Sequence, residues 1–381
     1  MKILAVDIGT GTQDILLFDT ELDIENSLKL ILPSPTMRVF RNIKQATREG
    51  VDILLSGNLM GGGPSGWAAH DHIRSGFRVY ATPSAAGSFN DDLEAVRSMG
   101  IKIIAETEID SLTEPVRRIH MCDFDFPGIV KVFSDFGVDM DNLAAAAVSV
   151  FDHGNAPVDV SDRKFRFDYL DSRIRSKNHL SVFAYRSDKI PQVMTRLQSV
   201  ADSACDLPVP LVVMDSAPAA ILGATYDPKV RSHARKLIVN IGNLHTLAFR
   251  LSESGIEGVF EHHTGLLDQK QLEDLLFELA AGTITNEGVF NQHGHGALMV
   301  SSQPLDLDLD DFGVVVTGPR RNMLMGSRLK PYFAAPFGDM MTTGCIGLLA
   351  ATADQLPEFA GSIHQALENS NTSRKAPWEV E

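Results

Sequence analysis

Short runs of Val, Ile and Leu, each closed by Gly, Asp or Pro, alternate along the chain with longer stretches whose apolar residues recur every three or four positions. The runs at 2–6, 14–19, 28–32, 51–55, 102–105, 145–151, 211–214, 237–241, 246–251 and 313–317 are apolar enough to be strands covered on both faces. Helices are expected near 37–49, 91–99, 190–204, 268–281 and 340–353. In the fourth, Leu272, Leu275, Leu276 and Leu279 fall at i, i+3, i+4 and i+7, the stripe of an amphipathic helix. Strands alternating with helices imply an α/β architecture.

One segment recurs. Ala5-Val-Asp-Ile-Gly-Thr-Gly-Thr-Gln-Asp-Ile-Leu-Leu-Phe18 is echoed by Ile238-Val-Asn-Ile-Gly-Asn-Leu-His-Thr-Leu-Ala-Phe249, with Asp7 facing Asn240 and Gly9 facing Gly242. Aligned on the terminal phenylalanines, the copies differ by two residues at the turn. In each, an apolar strand ends at a polar residue, turns through glycine and returns as a second apolar strand, a β-hairpin pattern. Two copies of one hairpin imply two related domains. The alternation of Leu305, Leu307 and Leu309 with Asp306 and Asp308 fits an exposed edge strand or a solvated loop. The polar tail, residues 366–381, is expected to be disordered.

Composition narrows the partners. The 381 residues carry 49 acidic and 34 basic side chains, a net charge of −15. That field repels extended phosphate backbones and anionic lipid, so nucleic acid and membrane surfaces are not expected partners. No apolar run reaches the roughly 18 residues that span a bilayer. The start MKILAVD reads as a strand rather than a signal peptide. A cytoplasmic protein is the expectation, and any anionic ligand needs a local solution.

The first hairpin offers one. In Asp7-Ile-Gly-Thr-Gly-Thr, the glycines let the backbone approach a ligand, so that amides and the Thr10 and Thr12 hydroxyls can donate to phosphate oxygens. Asp7 could hold Mg²⁺ through water, since Mg²⁺ favours one or two carboxylates plus substrate oxygens. A tight glycine turn with an aspartate at its edge explains the same residues without a ligand.

With the repeat and its spacing, the residues resemble the acetate kinase, sugar kinase, Hsp70 and actin superfamily, whose five signature segments follow in order. Phosphate 1 is similar to residues 6–19, and connect 1 to Val213-Met-Asp-Ser-Ala-Pro-Ala-Ala-Ile-Leu-Gly223. Phosphate 2 is similar to residues 238–249, and the adenosine segment to Val314-Val-Val-Thr-Gly-Pro-Arg-Arg321. Connect 2 is similar to Pro336-Phe-Gly-Asp-Met-Met-Thr-Thr-Gly-Cys-Ile-Gly347. The resemblance implies two ribonuclease-H-like α/β domains around a nucleotide cleft, of the actin-like ATPase type. The first domain would take residues 1–228 with 335–365, the second 229–334, with an insertion at about 60–205 that has little superfamily counterpart. It implies ATP and Mg²⁺ as cofactors, with Asp7, Gly9, Thr10, Gly11 and Thr12 on one side, and Asn240, Gly242 and Asn243 on the other. Thr317 and Gly318 would lie near the adenosine. Small residues Ala217, Ala219, Ala220, Gly344 and Gly347 would let two helices cross closely at a hinge, although ordinary helix packing explains them too.

One departure stands out. The superfamily's second hairpin usually begins Asp-x-Gly-Gly-Gly-Thr, whereas Asn240-Ile-Gly-Asn-Leu-His keeps one glycine and no carboxylate. An amide accepts hydrogen bonds from metal-bound water but brings no charge, which points to nucleotide binding with slow turnover. At closer range the chain resembles a domain family of unknown function labelled as pyruvate formate-lyase activating enzymes. A radical activator of that kind holds its iron–sulfur cluster with three closely spaced cysteines. Cys122, Cys205 and Cys345 are far apart in sequence and do not show that motif.

Several polar clusters are candidates for the other half of a site. Asp152-His153-Gly154 follows an apolar run, where α/β sheets place ligands, and Glu261-His262-His263 follows Gly258-Val-Phe260. Histidine can serve as acid or base, and with a carboxylate it can ligate a metal. Only one of His262 and His263 can face a cleft if the segment is a strand. Loop residues making caps and turns explain the same clusters. His70-Asp71-His72 and His293-Gly-His295 have metal-like composition without completing ligands and are expected in surface loops. Gly57–Gly66 is expected as a flexible loop or as a set of backbone donors for a substrate anion. The leading expectation is an ATP-binding protein, a small-molecule kinase or slow ATPase, with Asp152, His153, Glu261 and His262 as candidate catalytic groups. The alternatives are a nucleotide-dependent switch acting on a partner protein, and a metal-dependent hydrolase built on the histidines.

Overall fold

The computed structural model describes residues 1–112, 115–157, 159–308, 311–368 and 375–380. In chain order its strands are β1 (Lys2–Ile8), β2 (Thr12–Asp19), β3 (Leu28–Pro33), β4 (Asp52–Gly57), β5 (Val79–Ala81), β6 (Ile101–Ile103), β7 (Val116–Met121) and β8 (Leu143–Val150). They continue with β9 (Ala184–Arg186), β10 (Leu211–Asp215), β11 (Lys236–Ile241), β12 (His245–Ser252), β13 (Gly255–His263), β14 (Gly296–Met299), β15 (Val314–Thr317) and β16 (Pro331–Phe333). Each of the ten apolar runs overlaps a strand, although β6 takes only Lys102 and Ile103 of the run at 102–105.

Three sheets result: β3-β2-β1-β8-β10-β9, then β14-β13-β12-β11-β15-β16, and a smaller β6-β5-β4-β7. The first two repeat one plan. In the first, β1, β2 and β3 form an antiparallel meander, and β8 and β10 follow in parallel beside β1. In the second, β11, β12 and β13 form the meander, and β15 and β16 follow in parallel. This duplicated order is that of two ribonuclease-H-like domains, as the superfamily resemblance implies.

The alternation along each strand divides the core. Ile3, Ala5, Leu16 and Phe18 pack on one face of the first sheet, with helix Thr343–Gln355. Leu4, Val6, Ile8, Ile15 and Leu17 pack on the other. Around the second sheet, Ile238, Leu247 and Phe249 take one face, and Leu237, Val239, Ile241 and Ala248 the other. Helix Thr343–Gln355 thus returns the chain to the first sheet after its excursion through the second.

Connection helices Ser216–Ala224 and Thr343–Gln355 cross at backbone contact. A Cβ on Gly223 would stand 1.7 Å from the Thr343 carbonyl oxygen, and one on Gly347 would stand 1.9 Å from the Ala219 carbonyl oxygen. Only hydrogen fits at either position, so packing and not helix propensity selects these glycines.

The structure corrects several expectations. Both hairpin turns are four residues long, since Ile8 pairs with Gln13 and Ile241 with Thr246. The copies therefore align without a gap, which sets Thr12 against His245 and Asp14 against Leu247. The gap came from matching Phe18 to Phe249, which are not equivalent. The third sheet starts at β4, before residue 60, while β8, β9 and β10 belong to the first sheet. Residues 70–72 lie in helix Pro64–Arg74, with His72 buried against the Thr47 hydroxyl at 2.7 Å. Residues 305–308 form a loop whose Leu305 and Leu307 rest on the second sheet's core, and Leu309 lies outside the described residues. Of the polar tail, residues 369–374 and 381 lie outside them as well, while 366–368 end helix Pro357–Glu368 and Lys375 bridges Leu22. Among the described residues no helix is long and apolar enough to cross a membrane.

Candidate functional site

A cleft of about 1020 Å³ opens between the two large sheets. Its walls include both hairpin turns. Gly9 donates its amide to Thr12 at 2.9 Å to close the first, and Gly242 donates to His245 at 2.9 Å to close the second. A Cβ on Gly11 would lie 2.9 Å from Asn243 Nδ2, so the turns face each other at close range. Ser34 secures the first turn, with its hydroxyl on the Thr10 carbonyl at 2.5 Å and its amide on the Gly11 carbonyl at 3.1 Å. The same residue caps helix Pro35–Glu49.

Of the residues expected from sequence, Asp7, Gly9, Thr10, Gly11, Thr12, Asn240, Gly242, Asn243, Thr317 and Gly318 all line this cleft. Gly318 has φ +94, and a Cβ there would meet Asn240 Oδ1 at 2.4 Å, so the adenosine-like segment folds back onto the second hairpin. Gly63 of the third sheet's glycine loop reaches the second turn, 3.4 Å from Leu244 on the same measure.

Asp7 is more than a turn residue. Ser149 on β8 donates its hydroxyl to Asp7 Oδ1 at 2.5 Å, and Gly344, in the first turn of helix Thr343–Gln355, packs against the carboxylate. Burial pushes Asp7 up to about 6 despite the Ser149 hydrogen bond. Directly across the hairpin stands Asp14, which the sequence reading missed. Burial first, then the Asp7 charge, push it up to about 8. Its Oδ1 is buried without a hydrogen-bond partner. Counting the hairpin as a four-residue turn would have found it.

Histidines line the same cleft from the second turn onward. His153, just past β8, meets His245 at the start of β12 and His295 just before β14, and one nitrogen from each ring lies within 4.8 Å of the others. His263 flanks them, its ring centroid 4.5 Å from that of His295. Burial, then neighbouring positive charge, keeps all of these rings neutral, His295 down to about 2. The expectation that His293-Gly-His295 is a surface loop fails at His295, which is 1% exposed. The completing ligands come from distant segments, beyond the reach of local spacing.

Beneath the rings lies a buried charge network. Arg166, on helix Asp162–Ser176, pairs with Asp215 and, through Nε at 3.1 Å, with Glu261; it also donates to the Asp152 carbonyl at 2.9 Å. Burial opposes the Arg166 charge, but the two carboxylates outweigh it and hold the guanidinium protonated. Burial pushes Glu261 and Asp215 up against the pull of Arg166. Neither Arg166 nor Asp215 was expected as a site residue, and the 162–176 segment was not among the expected helices.

The remaining candidates divide. Asp152 lines the cleft, but its carboxylate is engaged by the Gly154 amide at 2.8 Å and the Leu197 amide at 2.9 Å. His262 turns to the other face of β13, its Nε2 3.0 Å from the Gln292 carbonyl, and does not line the cleft; of the adjacent pair, His263 does. The pleat of the strand separates them. The cysteines are not gathered. Cys345 is buried against the Asp14 carbonyl at 3.1 Å, Cys122 lies against the Phe124 carbonyl at 3.1 Å, and Cys205 is exposed. Among the described residues, the histidine trio is the one group of three or more metal-ligating side chains. A three-thiolate iron–sulfur cluster does not fit these residues.

A family model described as "Putative pyruvate format-lyase activating enzyme (DUF1786)" matches residues 60–323. No curated protein matches the sequence. Similar solved structures include the activator of the 2-hydroxyisocaproyl-CoA dehydratase from Clostridium difficile with bound ADPNP, 9% identical over 98% of this chain and 100% of that one, at TM-score 0.34. Ethanolamine utilization protein EutJ from Carboxydothermus hydrogenoformans is 11% identical over 91% and 89%, at TM-score 0.32. A protein of Listeria monocytogenes described as "a putative N-acetylmannosamine kinase" is 11% identical over 67% of this chain, at TM-score 0.26. The match spans 49% of that protein's length and 37% of a ROK family transcriptional regulator's. The fold assignment rests on strand order and register.

Proposed function

The chain belongs to the DUF1786 family, and we propose that it binds ATP with Mg²⁺ in the cleft between its duplicated hairpins and turns the nucleotide over slowly. The observation that carries this reading is the pair of equal four-residue turns facing each other across one cleft. Gly9 and Gly242 use their amides to close the turns, so the donors a triphosphate would meet are the central amides of Thr10, Gly11, Asn243 and Leu244, with the Thr10 and Thr12 hydroxyls. Asp7, with Asp14 beside it, would hold Mg²⁺ through water. Gly318 supplies the open backbone against which a nucleoside could lie. Bound Mg²⁺ would neutralise phosphate charge; the chain's own contribution is orientation by the two turns and exclusion of water by the closing lobes.

Asn240 favours a second reading, a nucleotide-dependent switch that acts on a partner protein. At the place equivalent to Asp7 it offers an amide, so the second lobe contributes no carboxylate to a metal or to an attacking nucleophile. Isothermal titration with ATP and Mg²⁺ tests the shared core of both readings. Saturable binding that is lost in Asp7→Ala and in Gly318→Trp supports it; no binding to the wild type, or undiminished binding to both variants, overturns it. ADP formation measured alone and with a metabolite panel separates slow hydrolysis, which proceeds alone, and phosphoryl transfer, which needs its acceptor, from the switch, which closes without turnover.

A further inference from the structure

We infer that His153, His245 and His295 form a binding site for one divalent transition-metal ion of the zinc class, with Glu261 as the carboxylate that orients two of the ligands. This site stands apart from the Mg²⁺ assigned to Asp7 and does not depend on the nucleotide reading. Three imidazole nitrogens lie within 4.8 Å of one another. In a tetrahedral site with bonds of about 2.0–2.1 Å, ligand nitrogens stand roughly 3.3 Å apart, so each pair of nitrogens need approach by no more than about 1.5 Å.

The second observation lies behind the rings. Nδ1 of His295 stands 3.4 Å from Glu261 Oε1, and Nδ1 of His245 stands 3.6 Å from the same oxygen. At those distances none of the three atoms has a hydrogen-bond partner, although all are buried and Glu261 is 0% exposed. A metal drawing on Nε2 of both rings would fix Nδ1 as the protonated nitrogen, and a small rotation would give Glu261 two donors. Carboxylates behind histidine ligands commonly act this way.

The ligand set selects the metal: imidazole suits zinc, iron, nickel and copper, whereas Mg²⁺ and Ca²⁺ favour oxygen. Three protein ligands leave a fourth position, which opens to the cleft and suits water or a substrate oxygen.

Co²⁺ titrated into metal-stripped full-length protein, without nucleotide, tests the site, because tetrahedral nitrogen-ligated Co²⁺ has intense visible d–d absorption. The expected result is a saturable band at one equivalent, bleached by Zn²⁺, abolished in His153→Gln and His295→Gln, and retained in the exposed-residue control His70→Ala. Glu261→Gln should weaken affinity about 10- to 100-fold while keeping the band. Far-ultraviolet circular dichroism establishes that each variant is folded; should the His295 variant unfold, His153→Gln, at the loop after β8, decides. No band in the wild type, or an undiminished band in folded His153→Gln, overturns the inference.

Discussion

Replacing Asp14 with asparagine probes the buried carboxylate pair at the floor of the cleft. Asp7 and Asp14 are cross-strand partners, pushed up from 3.8 to about 6 and about 8, chiefly by burial. Each pKa unit corresponds to about 1.4 kcal/mol, so ionising Asp7 in the fold costs on the order of 3 kcal/mol relative to the unfolded chain, and ionising the second of the pair costs more. A folded pKa above the unfolded value means that the native chain holds protons the unfolded chain has released. The resulting stability is fully present below about pH 4 and is lost as pH rises through about 6 and then about 8. Asp14→Asn keeps the shape, cannot ionise and relieves Asp7 of a like charge. Urea unfolding should give wild type and variant similar stability near about pH 3.5, and a variant more stable by at least about 3 kcal/mol near about pH 9. Saturating Mg²⁺ and ATP should narrow that gap, because a cation replaces the missing protons. Parallel pH profiles for the two proteins would refute the pairing.

Two further substitutions test the frame around the site. Gly347→Ala places a Cβ 1.9 Å from the Ala219 carbonyl oxygen, and the crossing helices must part; a loss of about 1–3 kcal/mol is expected. Gly361→Ala, at an exposed position of helix Pro357–Glu368 with nothing near its Cβ, should gain up to about 1 kcal/mol. Equal effects measured by thermal unfolding would remove the close-crossing account. Arg166→Leu leaves Asp215 and Glu261 without their cation and should cost about 3–5 kcal/mol near neutral pH. The loss should shrink in acid as the carboxylates protonate, and a loss independent of pH would contradict it.

How much of this was legible follows from where the information lies. The first hairpin, its repeat and the connecting helices were readable because each is a contiguous pattern with its own turn chemistry: Asp7, Gly9 and Gly242 report on their neighbours. Register was readable only in part. Asp14 becomes visible once the turn is known to hold four residues, and matching Phe18 with Phe249 hid that. The histidine site was not legible as a whole, since His153, His245 and His295 come from three strands' ends and no local spacing links them. Arg166 was hidden for a different reason. Its helix, Asp162–Ser176, carries Phe167, Leu170 and Ile174 at i, i+3 and i+7, but Arg166 is buried beside them, and no local pattern tells a buried arginine from a solvated one. Buried charge networks of this kind are properties of the packed fold, written into pairs of residues such as Arg166 and Glu261 that are 95 positions apart.

A structure of the full chain with a non-hydrolysable ATP analogue and Mg²⁺ tests the central claim most directly. The account predicts the triphosphate held between the turns at Gly9–Thr12 and Gly242–His245, the cation facing Asp7, and the nucleoside against Gly318. A nucleotide bound elsewhere, or a cleft that stays empty at saturating analogue, would contradict it.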